Sequence, residues 1–271
     1  MIDLRDTTLI IPIKIEHEDR YRNAKATLGF INKHFQTNVF IYEASSTGES
    51  KLDFLDQLEN LKIRTWLVTE TSAFHRTRYL NEMLDEVETP VVANYDIDVI
   101  FDPPNLEECQ RLILEEGVDV LYPYENGNGQ YQVLPNFDYE NFIEGGFSLM
   151  YLRPPRPELY LWTAECGHCI MFKTSTYRKW GGENEGFVAY GPEDKERMYR
   201  FQQLGCNVQW RTGQRVYHFE HHRGSDSWTT NPHFLNNWAL FDYIRGLHPD
   251  MLKQYYTNPG YTSRYKNIGV K

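Results

Sequence analysis

The chain has 271 residues, a formal net charge of -10 at pH 7 and an aromatic share of 15%. This length can bury a large hydrophobic core, either in one large α/β domain or in two smaller ones. The acidic balance argues against a general nucleic-acid-binding protein, which would present a basic face.

The sequence contains no run of about 18 or more apolar residues, so it predicts no transmembrane segment. Residues 1–6 lack the basic and then apolar layout of a signal peptide. We therefore expect a soluble, cytoplasmic protein. A peripheral position at the inner face of the membrane is the alternative.

The first hundred or so residues alternate between predicted strands and predicted helices. Apolar runs predict strands at residues 8–13, 39–42, 63–68 and 91–101, and helical spacing predicts helices at residues 24–35, 52–61 and 78–87. This alternation predicts an α/β fold with a mostly parallel central sheet flanked by helices. Ligands of such sheets bind beyond the carboxyl ends of the strands.

Asp96 and Asp98 lie two residues apart in the apolar run at residues 91–101. In an extended chain this spacing places both carboxylates on one side. Two neighbouring carboxylates in an apolar setting are costly unless a cation neutralises them, and their oxygens suit Mg²⁺ or Mn²⁺. Such ions often complete their coordination with diphosphate oxygens, so the pair predicts a metal–nucleotide site. A solvated loop without a ligand is the alternative.

The alternation stops after residue 101 and resumes near residue 169. A helix at residues 106–116 and a strand at residues 118–122 precede a segment at residues 123–163 that is rich in Gly, Asn, Pro and Tyr. We interpret this segment, with a turn at residues 125–129 and a stiff extended stretch at residues 153–157, as a long loop insertion that acts as a lid or binds the acceptor. A plain surface excursion is the alternative.

The second half regains regular structure. Strands are predicted at residues 169–173, 208–211 and 216–219, and helices at residues 174–180, 193–204 and 234–244. Cys166 and Cys169 have the spacing of a redox or zinc site, but no second ligand pair follows at zinc-finger spacing. We therefore interpret them as incidental thiols at a buried strand.

Four short motifs follow one another along the chain. They are Ile-Pro-Ile-Lys at residues 11–14, Phe-His-Arg-Thr-Arg-Tyr-Leu-Asn at 74–81, Tyr-Asp-Ile-Asp-Val at 95–99, and a Gly-Gly segment leading to Tyr-Gly-Pro-Glu-Asp at 181–194. In this order they resemble the motifs of GT-A-fold glycosyltransferases of the broad family 2 type. The C-terminal half is similar to the β-1,4-galactosyltransferases and the polypeptide N-acetylgalactosaminyltransferases.

The resemblance implies a UDP-sugar donor and a Mn²⁺ (or Mg²⁺) ion. The nucleotide-binding residues that it implies are Pro12 and Lys14 beside the uracil, Glu43 at the uridine, Phe74 and Arg76 at the nucleotide and its phosphates, and Arg78 as a weaker candidate.

The resemblance also implies the metal ligands. Asp98 would bind the ion directly, and Asp96 would bind the ribose or reach the metal through water. A late histidine ligand falls in residues 218–222, where His218 is the first choice, His221 the second and His222 a third candidate. Solvated surface histidines are the alternative. A metal site requires Asp98 to lie within roughly 5 Å of one of these imidazoles.

The last motif carries the predicted catalytic groups. Asp194 would be the base that deprotonates the acceptor hydroxyl, Glu193 would hold the acceptor or the transferred sugar, and Tyr190 with Gly191 would line the sugar pocket. The galactosyltransferases have Trp at the position of Tyr190, and His168 stands in place of a Gly. Acidic residues that merely cap a helix are the alternative for the Glu193-Asp194 pair.

Taken together, the resemblance predicts one GT-A catalytic domain at residues 1–230, with a nucleotide-binding half at residues 1–101 and an acceptor half at residues 102–230. Residues 231–271 would form a helical extension packed on it.

The predicted function is a metal-dependent glycosyltransferase of polysaccharide biosynthesis. It would move a hexose or N-acetylhexosamine, with galactose or GalNAc favoured, from a UDP-sugar to a glycan acceptor. Inversion is favoured and retention left open. The alternatives are an inactive carbohydrate-binding module on the same scaffold and a nucleotidyltransferase, although residues 12–17 lack the Gly-rich phosphate loop that the latter requires.

Overall fold

A computed structural model of the protein describes residues 1–134, 139–144, 159–162, 166–224 and 227–258. The strands in these ranges are β1 (Ile2–Ile13), β2 (Phe35–Ser45), β3 (Leu61–Thr69), β4 (Val91–Tyr95), β5 (Val99–Phe101), β6 (Val120–Tyr122), β7 (Gln130–Val133), β8 (Leu159–Trp162), β9 (Cys169–Lys173), β10 (Val208–Trp210) and β11 (Val216–Phe219). The helices are α1 (Glu18–His34), α2 (Arg76–Asp85), α3 (Pro103–Glu115), α4 (Tyr139–Glu144), α5 (Thr174–Lys179), α6 (Glu193–Gln203), α7 (Phe234–Arg245) and α8 (Pro249–Thr257).

Seven strands form the central sheet, in the order β10-β6-β9-β4-β1-β2-β3. The pairs β4-β1, β1-β2, β2-β3 and β10-β6 are parallel, and β9 runs antiparallel to both β4 and β6. Every residue of β4 is buried, as expected of a strand with covered faces. The predicted α/β fold with a mostly parallel sheet flanked by helices is confirmed.

A second, four-stranded sheet in the order β5-β11-β7-β8 was not predicted. It divides the single strand expected at residues 91–101 into β4 and β5, and the two aspartates lie where the chain crosses between the sheets. The Asp96 N–H donates to the His168 carbonyl at 2.8 Å, whereas the Asp98 carbonyl accepts from the Phe219 N–H at 2.8 Å. Because these two bonds reach different sheets, the chain cannot continue as one strand.

Two further predictions were wrong. Residues 52–61 contain only a short 3₁₀ helix, Leu55–Gln57, because their leucines recur every three residues and not at the spacing of an α-helix. The segment at residues 123–163 is not a continuous loop, since it contributes β7, α4 and β8. Its predicted stretch at residues 153–157 lies outside the described residues.

The C-terminal helices α7 and α8 pack against the segment that precedes α6. Phe187 from that segment joins the buried side chains of both helices in one small apolar cluster, which also contains Leu240, Phe241, Ile244, Leu252, Tyr255 and Tyr256. The predicted helix at residues 234–244 is confirmed as α7, while α8 was not predicted as a separate helix. Among the described helices, none combines the length and the apolar character that a membrane crossing requires.

Candidate active site

A cleft of about 670 Å³ opens beside the carboxyl ends of β1 and β4, which is the edge of the sheet where ligands of such folds bind. Its volume is within the range of small-molecule sites. It brings together most of the residues that the sequence singles out, namely Pro12, Lys14, Phe74, Arg76, Asp96, Asp98, Tyr190, Glu193, Asp194, His218 and His221.

Asp98, His218 and His221 form a buried cluster at one end of this cleft. The Asp98 Oδ1 atom lies 3.5 Å from His218 Nε2, and its Oδ2 atom lies 3.2 Å from His221 Nε2. The opposite ring nitrogens are also engaged: Nδ1 of His218 bonds Gln132 Oε1 at 2.8 Å, and Nδ1 of His221 bonds the His222 carbonyl at 2.8 Å. A carbonyl only accepts, so Nδ1 of His221 carries a proton and the Nε2 atoms are left to face Asp98.

The cluster shifts the pKa values of its members. Burial opposes ionisation of Asp98, but His218 and His221 outweigh it and hold the pKa of Asp98 below its ordinary value. Burial lowers the pKa of His218 to about 3. Burial also acts to lower the pKa of His221, but the hydrogen bond to Asp98 raises it. At neutral pH the site therefore holds a carboxylate and at least one neutral imidazole, which are the forms that bind metals.

These three side chains fit a divalent cation. Their ligand atoms all lie within 4.8 Å of one another, and they are the one such group of three in the described part of the chain. Two ligands of one ion at right angles lie roughly 3 Å apart when each bond is about 2.1 Å, so small movements suffice to close the site. One carboxylate with two imidazoles suits Mn²⁺ better than Mg²⁺, which prefers oxygen ligands.

Arg76 begins α2 and lies against the other aspartate of the motif. Its Nη2 atom is 2.5 Å from Asp96 Oδ1. Burial would lower the pKa of Arg76, but Asp96 and Glu193 outweigh burial and raise it. Arg78, two residues further along α2 and so on another side of the helix, is paired with Glu82 at 2.8 Å and does not line the cleft. Of the two arginines predicted to contact the phosphates, the preferred candidate, Arg76, is the one that lines the cleft.

Glu193 and Asp194 lie at the start of α6, with both side chains lining the cleft. Glu193 as a whole is partly accessible, but its Oε2 atom is closed off from solvent and has no hydrogen-bond partner within the described ranges. Burial and the neighbouring Asp194 raise the pKa of Glu193 to about 8. Asp194 Oδ1 accepts from the Lys195 N–H at 2.7 Å, and the Asp194 side chain also hydrogen-bonds the thiol of Cys166. Neither carboxylate sits at the N-cap of α6, which is Pro192.

Glu43 and Gly191, like Arg78 and the third histidine candidate His222, do not line the cleft. Glu43 is buried at the end of β2, where its carboxylate accepts from Ser50 Oγ at 2.6 Å and from the Lys51 N–H at 2.8 Å. Gly191 is covered by the side chain of Asn237, which a Cβ atom at position 191 would meet at 2.3 Å. Their predicted roles at the nucleotide and the sugar remain predictions.

The cleft also contains residues that were not among the predicted site residues, including Arg20, Cys166, His168, Arg197 and Arg223. His168 has a left-handed backbone at φ 57°, which is uncommon for a residue other than Gly, and its Nε2 bonds Gln130 Oε1 at 2.8 Å. The sequence signal that could have placed His168 in the cleft is that it stands where the resembling families have Gly. Cys166 and Cys169 are free thiols, and Cys166 borders the cleft.

A model of one protein family matches residues 152–222, and that family is described as the N-terminal domain of galactosyltransferase. The match lies in the C-terminal half, where the motif order predicted similarity to galactosyltransferases. No curated protein matches the sequence.

Solved structures are similar to most of the chain. A structure of GalNAc-T7 with UDP, GalNAc and Mn²⁺ is similar over 88% of this chain, with 12% sequence identity and a TM-score of 0.58. Two structures of Drosophila β1,4-galactosyltransferase 7, one with xylobiose and one of a mutant with manganese, UDP-Gal and xylobiose, match 79% of the chain at 13% identity and a TM-score of 0.44. The chain spans 66% of the length of these two chains and 47% of the GalNAc-T7 chain.

At such low identity the likeness to GalNAc-T7 shows a shared fold, and the chain has the GT-A fold. The resemblance to GT-A glycosyltransferases that the four motifs indicated is confirmed. The matching galactosyltransferase model and the GalNAc-T7 structure correspond to the two groups of enzymes that the motifs indicated.

Proposed function

We propose that this protein is a metal-dependent glycosyltransferase that moves a sugar from a UDP-sugar to a hydroxyl group of a glycan, in the synthesis of a polysaccharide. The observation that carries the proposal is that one cleft contains both a buried Asp98-His218-His221 cluster and a pair of carboxylates at a helix start. The first is suited to a cation and the second to proton transfer. In support, the structure with the same fold, GalNAc-T7, contains UDP, GalNAc and Mn²⁺.

The donor would bind along the wall formed by β1, β4 and α2. Pro12 and Lys14 at the end of β1 and Phe74 before α2 line that wall. The apolar ring of Phe74 and the cation of Lys14 would contact the uridine and its phosphates, with Lys14 giving up its ion pair with Glu16 at 3.0 Å. Arg76 pairs with Asp96 in the structure, and on donor binding it would pair with the diphosphate instead. The exchange is possible because the carboxylate and the diphosphate are both anions. Asp96 would then be released to the ribose. A cation bound at Asp98, His218 and His221 would neutralise charge on the departing diphosphate.

Transfer would proceed by a single displacement. The acceptor hydroxyl gives its proton to Asp194, its oxygen forms a bond to the anomeric carbon, and the bond between that carbon and the diphosphate oxygen breaks as UDP leaves. Attack from the face opposite the diphosphate inverts the configuration at the anomeric carbon. Glu193 has an inward-facing oxygen without a partner in the described chain, so it would hold a sugar hydroxyl. Galactose and GalNAc are the favoured sugars by the resemblance.

A screen of UDP-sugars for Mn²⁺-dependent release of UDP, with and without glycan acceptors, tests this function. We expect one sugar to give turnover, and Asp98→Ala to lower it by at least about 100-fold, because a lost electrostatic contact to the reacting charge costs that much. Asp102→Ala, an exposed carboxylate four residues later, is the matched control and should retain the parental rate. Full activity of Asp98→Ala would exclude the metal assignment. Carbohydrate binding that chelators do not affect, without any UDP release, would indicate an inactive module.

A further inference from the structure

The C-terminal helices reach the segment that carries the predicted sugar-pocket residues. We infer that Asn237 of α7 is a positioning residue, which holds residues 187–191 (the base loop) in the one conformation that presents Tyr190 and Asp194 to the acceptor. This inference rests on the proposed function and adds to it a role for the helical extension.

The base loop has a conformation that its own sequence does not favour. Ala189 has φ 58°, in the left-handed region that residues other than Gly rarely adopt. Such a conformation persists only where surrounding contacts enforce it, and it is found frequently at functional sites. Tyr190 follows directly, is 40% exposed and lines the cleft, so the turn at Ala189 determines where this ring lies.

Two buried asparagines enforce this conformation. Asn237 Nδ2 donates to the Val188 carbonyl at 2.8 Å and to the Tyr190 carbonyl at 3.3 Å, while its Oδ1 accepts from the Val188 N–H at 3.3 Å. Asn231 Nδ2 donates to the same two carbonyls, at 3.2 Å to Val188 and at a shorter distance to Tyr190. Both side chains are nearly inaccessible, at 1% and 3% exposure. The two carbonyls on either side of Ala189 are thus fixed by side chains from another part of the chain.

The contact is too close for any other residue at position 191. A Cβ atom there would lie 2.3 Å from Asn237 Nδ2 and 2.9 Å from its Cβ, so Gly191 lets α7 approach the backbone immediately before α6. The Gly191 carbonyl then accepts from the Glu193 N–H at 2.9 Å. Asn237 is therefore connected through two residues of backbone to the carboxylates at the start of α6.

The opposite side of the base loop is anchored on the donor-binding wall. Thr77 Oγ1 of α2, next to Arg76, donates to the Phe187 carbonyl at 2.8 Å. The loop therefore spans from the helix of the predicted phosphate contact to the helix of the predicted base, with Asn237 bonding its middle. Loosening the middle should displace Tyr190 and Asp194, whereas the Asp98-His218-His221 cluster lies on other elements and should keep its geometry.

The test compares Asn237→Ala with Asn236→Ala, its exposed neighbour on the same helix. We expect Asn237→Ala to raise the acceptor KM and lower kcat, together reducing kcat/KM for the acceptor by 10-fold or more. We expect UDP binding in the presence of Mn²⁺, measured by calorimetry, to change less than 3-fold. Hydrogen exchange at the Val188 amide, whose bond to Asn237 is lost, should accelerate at least 10-fold. Asn236→Ala should match the parent in all three measurements.

Asn231→Ala is a second variant, for use if Asn237→Ala does not fold, since Asn231 lies outside the helix and bonds the same carbonyls. Unchanged exchange at the Val188 amide in folded Asn237→Ala would overturn the inference. Unaltered acceptor kinetics in whichever of the two variants folds would also overturn it. An equal loss of UDP binding and transfer would show a general structural role and would also overturn it. If the parent protein transfers no sugar, the proposed function fails, whereas the exchange data still report whether Asn237 holds the loop.

Discussion

The wall of the cleft that carries Asp98 consists of strand ends, whereas the wall that carries Asp194 is a loop followed by a helix start. Asp98 lies between β4 and β5, and His218 belongs to β11, so backbone ladders of two sheets set their positions. The base loop has no ladder. Side chains hold it instead, chiefly those of Asn231, Asn237 and Thr77.

This difference implies that the two walls respond differently to mutation. A strand end is fixed by many backbone hydrogen bonds, so single substitutions there remove a ligand without moving its neighbours. A loop fixed by a few buried side chains shifts when one of them is lost. We therefore expect the metal and nucleotide to bind in variants of the Asp194 wall that no longer transfer sugar.

Asp194→Asn is expected to give the largest effect of this kind. An amide cannot take the proton of the acceptor hydroxyl, and loss of a general base lowers rates by about 10² to 10⁴. UDP binding with Mn²⁺ should change little, because the substitution keeps the shape of the side chain and leaves the other wall intact. Steady-state transfer and calorimetry of the same preparation measure both quantities. Equal weakening of UDP binding would contradict the independence of the two walls.

Glu183→Gln should affect stability, because Glu183 bridges the two walls. Its carboxylate accepts from Arg197 at 2.6 and 2.8 Å, and from Asn94 of β4 at 2.9 Å. Both members of the ion pair are nearly inaccessible, at 1–2% exposure. Leaving Arg197 buried without its counterion should lower the free energy of unfolding by about 3 kcal/mol or more.

The surface pair of Glu115 and Arg111 offers a matched comparison, at 3.4 Å and largely exposed. Glu115→Gln should change the free energy of unfolding by less than about 1 kcal/mol. Denaturation with urea measures both variants. Equal losses in the two variants would show that burial of the Glu183–Arg197 pair has no special effect.

The pH dependence of stability reports on the Asp194 wall. Burial and Asp194 raise the pKa of Glu193 from 4.5 to about 8 in the folded protein. The folded protein therefore binds more protons than the unfolded chain within this window, and its stability falls as the pH rises from 4.5 to 8. The Tm of the wild type should thus fall relative to that of Glu193→Gln over this range. A constant Tm difference would contradict the burial of the Glu193 carboxyl.

Much of the metal-binding wall could be predicted from local sequence. The apolar run before Asp96 predicts a buried strand, and its position in the alternation predicts the sheet edge where ligands bind. The crossing between two sheets at Asp96 and Asp98 could not be predicted in this way, because β5 pairs with β11, and β11 with β7, across long sequence separations. No local pattern encodes those pairings, so β5 was predicted as a continuation of β4.

Periodicity and motif order by themselves therefore determined the fold class, the main strands and helices, and the types of residue in the cleft, because these depend on near neighbours in the chain. Only the tertiary structure decided that Asp98 meets both His218 and His221 and that Arg76 pairs with Asp96. The same holds for the bonds from Asn231 and Asn237 to the base loop. Each of these contacts joins elements far apart in sequence, and it forms because burial forces polar groups to find partners wherever the packed sheets and helices bring them.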